Sequence, residues 1–399
     1  MRTILALAAA ALVLAGCSSS TGGHGSTAAA SASPAGTPSS RAASPTPTPA
    51  SPSTPSRVPT THPAPVPRQG SLNGLQVADL TFVGPDGWAL GTAGCLHGSG
   101  LCPVLAHSTD NGRSWRAVPS APGGGATNIR FATDRIGYAY GRAAFFMTTD
   151  GGRSWQREPG GADALETLDG NVIRVVDPGN CPPGCTYSIE TAPVGATGWH
   201  SVTLPGRQGG GVSVQLVRTG RLSALAVYGH TSGGAPSAHT VLFTSRDDGA
   251  SWVRRGEPCP QQPASASDPH GEVDGSALSS AADGSISVLC TPRGQGGSQF
   301  TVTSSDGGAH FQPGSKRALG AATISAFAAA SASTLIVSSD DTYRSTDSGR
   351  HFSRAAVSPG MLGWAGFASA TIGHAISIER RTIWTTTDAG RTWQAATLR

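Results

Sequence analysis

Six aspartates stand at the same place in one recurring phrase, [ST]-x-D-x-G-x-x-[WF]. The copies are Ser108/Asp110/Gly112/Trp115, Thr148/Asp150/Gly152/Trp155, Ser245/Asp247/Gly249/Trp252, Ser304/Asp306/Gly308/Phe311, Ser345/Asp347/Gly349/Phe352 and Thr386/Asp388/Gly390/Trp393. A carboxylate beside a hydroxyl can do general acid–base work or hold a cation. It can equally hold a turn. Asp accepts backbone N–H bonds two residues on, as in an Asx turn. Gly two places later supplies a positive φ, and the leading hydroxyl ties the turn to the incoming strand. The closing Trp or Phe opens the next strand and buries its ring. The turn already uses the Asp oxygens, so these residues are read as structural, with no catalytic or metal-binding role.

The elements that carry the octets follow from their spacing. Asp110 to Asp150 is 40 residues, Asp306 to Asp347 is 41 and Asp347 to Asp388 is 41. Asp247 to Asp306 is 59, one unit with an insertion, and Asp150 to Asp247 is 97, which needs two units. A decayed copy, Thr191-Ala192-Pro193-Val194-Gly195-Ala196-Thr197-Gly198-Trp199, fills that gap and makes seven units. A period near 40 with about four strands per unit is a propeller signature. The octet resembles the Asp-box, the bacterial neuraminidase repeat, and the chain resembles sialidase-like β-propellers. The expected fold is all-β, a seven-bladed propeller with Asp-box turns between strands three and four, over 74–119, 126–159, 164–204, 211–256, 275–313, 320–355 and 362–398. Residues 393–398 read as the last outer strand, with ring closure left to packing of blade one on blade seven.

Period-two alternation marks one buried face per strand. It runs through Val77–Val83, and a small-aromatic phrase follows at Gly87-Trp88-Ala89. The phrase returns as Gly137-Tyr138-Ala139 after Phe131 and as Gly373-His374-Ala375 after Phe367. Together with the octets it resembles the photosystem II assembly and stability factor propellers and their bacterial relatives. No stretch has sustained helical periodicity. With 54 Gly, 29 Pro and 13% charged residues, the composition suits a turn-dense β protein.

The N-terminal region reads as three parts: a leader (1–16), a linker (17–70) and the propeller (71–399). Met1-Arg2 and the short apolar run that follows are too short to span a bilayer and read as a secretory signal. The run ends Leu14-Ala15-Gly16-Cys17, which resembles the bacterial lipobox. That resemblance implies cleavage before Cys17, a lipid on its sulfur and residence on the outer face of the cell membrane. Ser18 to Gly70 is rich in Ser, Thr, Pro and Ala and lacks the apolar content to bury a core. It reads as a stalk, on the order of 40 Å as a flexible coil and 160 Å as polyproline II. Six cysteines remain, and local pairing joins Cys95 to Cys102, Cys181 to Cys185 and Cys259 to Cys290 in an address that permits disulfides. Zinc at Cys181 and Cys185 would need two more ligands, and no second closely spaced Cys/His pair is evident.

Net charge is only +4, and no basic run alternates with aromatics, so nucleic acid is not indicated. The 11 His form neither H-x-H nor H-E-x-x-H. No cofactor is expected, and the chain is expected to act as a monomer. Two functions compete. One is a non-catalytic scaffold outside the cell that binds a protein or a glycan. The other is a sialidase-type or other exo-acting glycoside hydrolase. The resemblance implies, for a sialidase, three arginines on the substrate carboxylate, a Tyr–Glu pair and an Asp acid/base. Here no Arg lies between Arg68 and Arg113, where the first should stand, and Asp134-Arg135-Ile136-Gly137 is a superficial echo. Tyr343 reads as an outer-strand residue. The scaffold is therefore favoured. In a four-stranded blade, the 1–2 and 3–4 loops share one face, and the 2–3 loops and blade connections share the other. The octets take the first face and the five long insertions the second, which makes the second the expected binding face. Candidate contacts there are His97, Asn180, His230, His239 and Arg293.

Overall fold

The computed structural model describes residues 72–96, 99–168, 170–176, 187–206, 212–229, 240–260, 273–292, 298–315, 319 and 323–398. These residues contain strands and turns and no helix. Seven antiparallel sheets follow one another along the chain, at 76–117, 128–158, 164–203, 212–256, 273–313, 326–354 and 362–395. Each runs in sequence order, and from blade one to blade seven the first strand of each packs against that of the next. The fold is a seven-bladed β-propeller.

The aromatic phrase is the packing unit between blades. The Phe82 ring lies across Gly87, where a Cβ would sit 2.3 Å from it; Phe131 covers Gly137 and Phe367 covers Gly373 in the same way. The other side of the ring meets the preceding blade. Phe131 stacks on Trp88 with centroids 3.8 Å apart, and Phe82 stacks on His374 at 3.5 Å. Gly thus precedes the aromatic because the Phe of its own blade occupies the Cβ position.

Inner strands have a free edge toward the axis, and such edges must be covered. Side chains of the preceding blade do so. Asp79 Oδ2 accepts from Ile129 N at 2.9 Å, Thr81 Oγ1 from Phe131 N at 3.2 Å, Gln215 Oε1 from Leu278 N at 2.6 Å and Ser279 Oγ from Ala329 N at 2.9 Å.

The octets are the turns between third and fourth strands. Their hydrogen bonds differ in register from the sequence expectation. In the second copy Thr148 Oγ1 donates to Asp150 Oδ1 and accepts from Gly152 N, while Asp150 accepts from the backbone and hydroxyl of Ser154, four residues on. The reason is backbone conformation: two consecutive residues are left-handed, such as Ala389 (φ 58°) and Gly390 (φ 78°), and they lift the N–H groups between them away from the carboxylate.

The octet glycines have the positive φ expected of them, and the structure asks more of them than that. Gly112, Gly249, Gly308 and Gly349 do have that φ, at 76°, 85°, 82° and 79°. Each also donates its N–H to the leading hydroxyl, that of Ser108, Ser245, Ser304 or Ser345, at 2.8–2.9 Å. And each lies where the preceding blade leaves little room for a side chain. A Cβ would sit 2.0 Å from Thr301 at Gly349, 2.8 Å from Ile173 at Gly249, 3.0 Å from Leu242 at Gly308 and 3.2 Å from His374 at Gly112. Glycine is thus demanded twice, by the turn and by the neighbouring blade, and only the first demand is local.

The decayed copy occupies the same turn of blade three, with Gly195 at φ 81°. In blades one, two, three, six and seven this turn is tied to the 1–2 turn of its own blade, as Asn111 N to Pro85 O (2.9 Å) and Val194 N to Gly170 O (2.7 Å). That places both turn sets on one face. The closing rings of Trp115, Trp252 and Trp393 are buried, whereas Trp155, Phe311 and Phe352 are half-buried.

Closure departs from the expectation. The last outer strand is only Gln394–Ala395. The chain then turns, and Thr397–Leu398 runs parallel to Ser114–Ala117 of blade one. Thr397 N donates to Arg113 O at 2.8 Å, just as Ala356 N of blade six donates to Arg391 O of blade seven at 2.8 Å. The seam repeats an ordinary blade junction. Tyr343 lies in a third strand, Thr342–Ser345, and bonds Asp340 through its hydroxyl.

Candidate functional site: the axial cavity

The inner strands enclose a cavity of about 800 Å³ along the propeller axis. It reaches the second face past Thr291, Gln299 and Thr323 and extends toward Arg218 and Phe367 near the octet face. Its two sides differ. Blades one to four contribute Asp79, Arg130, Asp163, Glu166, Gln215 and Arg218. Blades five to seven contribute uncharged side chains, among them the aromatics Phe327, Trp364 and Phe367; the Trp364 ring lies over Gly366, where a Cβ would sit 2.8 Å from it.

Arg130 is the centre of the charged side. Its Nη1 donates to Asp79 Oδ2 at 2.7 Å and its Nε to Glu166 Oε1 at 3.1 Å. Asp79 is further held by Leu80 N and Ile129 N. Three donors fix both of its oxygens in the wall, so it acts as a counter-charge to Arg130. Glu166 is different. Among the described residues its Oε2 receives no hydrogen bond, and the side chain keeps 21% exposure. Burial pushes the Glu166 carboxyl above its ordinary range, and the neighbouring Arg130 only partly offsets this. Burial likewise raises the Tyr140 hydroxyl, which contacts Leu165 O at 3.5 Å. Arg218 is pinned by Asn171 O and Asp248 Oδ1, and Asp163 is paired with Arg142.

A three-arginine clamp is not assembled among the described residues. Arg130 and Arg218 line the cavity, each with carboxylate partners. Arg174 lies off it, stacked on Trp199 at 4.1 Å and Phe145 at 4.8 Å and bonded to Glu190. Nor do three His, Cys, Asp or Glu side chains converge as metal ligands among these residues.

No protein-family model matches the sequence, and neither does any curated protein. Solved structures do match in fold. YCF48 from Cyanidioschyzon merolae aligns over 84% of this chain and 97% of its own, at 15% identity and a TM-score of 0.51. The propeller domain of the trilobed protease from Pyrococcus furiosus aligns over 81% and 97%, at 8% identity and 0.50. A PL25 ulvan lyase bound to -[GlcA(1-4)Rha3S]- aligns over 82% and 95%, at 10% identity and 0.50. At these identities the likeness is one of fold.

The structure treats the sequence candidates unevenly. The octet residues form turns, and burial, which would raise Asp110, is outweighed by bonds from Ser114 and Ser108 that hold it at about 2. In two octets His310 and His351 replace the hydroxyl and bond Asp306 and Asp347 through Nδ1, so these exposed histidines serve the turn. Cys95 is bonded to Cys102 and Cys259 to Cys290. Cys17, Cys181, Cys185 and all five candidate contacts, His97, Asn180, His230, His239 and Arg293, lie outside the described residues. The Asp79–Arg130–Glu166 cluster was missed. Its legible signals were charged residues inside strands, Asp79 in Val77–Val83 and Arg130 in Asn128–Phe131, where alternation alone does not show that the position faces the axis.

Proposed function

We propose that this chain is an extracytoplasmic lipoprotein, anchored through Cys17, whose propeller is a non-catalytic scaffold for a protein or glycan partner. In this reading residues 18–70 are the stalk, and the partner docks on the second face over the axial cavity. The observation that carries it is Arg130 locked between Asp79 and Glu166. A guanidinium with two carboxylate partners is no longer a charge clamp for an acidic sugar. The octet aspartates are likewise committed to turns.

The test is a pull-down of the intact lipoprotein from its native membrane. A partner should co-purify, survive charge changes on the octet face at Asn111 and Arg350, and be lost when 256–274 is shortened. Loss through the octet-face changes with retention in the loop variant would overturn the assignment of the face. A hydrolase remains the second reading because Glu166 is a carboxyl raised by burial within a cavity. Release of reducing ends from a polysaccharide panel by the wild type, abolished in Glu166→Gln, would replace the scaffold with that reading.

A further inference from the structure

The axial cavity has a charge imbalance and an aromatic face, and together they specify a ligand. Asp79, Asp163 and Glu166 line it against Arg130 and Arg218. Behind the lining, Asp248 pairs with Arg218 and lies 3.9 Å from Arg221, and Arg142 pairs with Asp163. The lining itself carries one more carboxylate than guanidinium, and the hydrogen bonds single out Glu166. Both oxygens of Asp79 already accept, from Leu80 N on one side and from Ile129 N and Arg130 on the other, whereas Glu166 presents Oε2 with no hydrogen bond from the described residues. A carboxylate oxygen in a partly dry site needs a donor, and a charged donor suits it best. Trp364, half-buried in the wall of blade seven, adds a ring face that attracts cations.

We propose that the axial cavity binds a primary ammonium group, held by Glu166 and the Trp364 ring. The inference rests on the cavity being the scaffold's binding site and names the chemistry that site selects. A lysine side chain of a partner polypeptide and an amino sugar both carry this group. Each is small beside a cavity of about 800 Å³. Acids are disfavoured by the Glu166 oxygen that faces them, and acetylated amines lack the cation. The groups that face Glu166 are Arg130 and Tyr140 of blade two, Asp79 of blade one and Arg218 of blade four. Affinity therefore rises with pH as Glu166 loses its proton and falls with added salt.

The experiment titrates the detergent-solubilised full chain by calorimetry with four probes: Nα-acetyl-lysine methylamide, its Nε-acetylated form, glucosamine and N-acetylglucosamine. An ammonium probe should bind at least about tenfold more tightly than its acetylated counterpart. Glu166→Gln and Trp364→Leu should each weaken it about tenfold or more, with Arg350→Glu as the unaffected control. Binding by the lysine probe alone assigns a polypeptide source and by glucosamine alone an amino sugar, while binding by both supports the shared chemistry. Equal binding of acetylated probes, or none, overturns the proposal. Should Glu166→Gln fail to fold, Trp364→Leu and the acetylated probes decide: unchanged affinity in that variant, or equal binding of acetylated and free amines, is equally fatal. A partner retained in the membrane pull-down without ammonium binding removes the ligand class and leaves the scaffold standing; the opposite pair of results removes the scaffold.

Discussion

His374 lies flat on Phe82, centroids 3.5 Å apart and planes 7° from parallel, across the junction where blade seven meets blade one. Trp88 stands in the same relation to Phe131 between blades one and two. His374 therefore fills an aromatic packing position. It is 2% exposed, and its Nδ1 has no hydrogen-bond partner.

The seam should consequently weaken in acid. Burial lowers the His374 pKa to about 3. The unfolded chain takes up its proton near 6.5, so it binds more protons than the native state between those values. Stability is full above pH 6.5 and declines as pH falls toward 3, by about 1.4 kcal/mol per unit. His374→Phe should remove this slope. The check is the melting temperature from pH 8 to 5, and parallel curves for wild type and variant would refute it.

The octets should behave as turns. Asp388→Ala loses acceptors for Thr386 Oγ1 and for Thr392 N and Oγ1, at 2.7–2.9 Å. A cost of about 1–2 kcal/mol is expected for this partly exposed group. Gly390→Ala should cost at least as much, because φ is +78° and the new Cβ would sit 2.4 Å from Ile336. Denaturant titration measures both; no change for either would mean the turn geometry is wrong.

The two disulfides should rank by loop length. Cys259–Cys290 spans 31 residues and Cys95–Cys102 spans 7. The chain-entropy relation gives about 3.7 and 2.4 kcal/mol. Cys-to-Ala pairs compared in the same titration should show the larger loss at Cys259 and Cys290, which are also buried beside Phe300 and Val302.

Truncation after Ala396 should open the ring at its seam, since it removes the Thr397–Leu398 pair with blade one. We expect a lower melting temperature and faster proteolysis between blades one and seven. Unchanged protection there would show that the stacked His374 and Phe82 suffice.

Cys17→Ser should release the protein to the medium or leave the precursor uncleaved. Continued partitioning into membranes with an unmodified N-terminus would rule out lipid attachment. Two acyl chains would account for firm anchoring at about 0.8 kcal/mol per buried methylene.

The chain by itself determined the number of blades, because each octet carries its side-chain turn chemistry within eight residues and the 97 residues from Asp150 to Asp247 leave room for one more unit. Thr148, Asp150, Gly152 and Ser154 bond one another, so the motif is legible wherever it stands. The pairing of Phe82 with Gly87 is local for the same reason. What Phe82 meets on its far side is not local: His374 lies nearly the whole chain away and became an aromatic filler only when the ring closed. The second demand on Gly349, the close approach of Thr301, likewise exists only once two blades are packed. Thr397–Leu398 read as the end of an outer strand until closure offered Ser114–Ala117 as a parallel partner. The cavity belongs to tertiary structure most of all. Asp79, Arg130, Glu166 and Trp364 come from four blades, and alternation assigns each to a face of its own sheet without saying what the axis gathers. Their charges acquire meaning only together, since an electrostatic site is defined by distances between side chains that the order of residues does not contain.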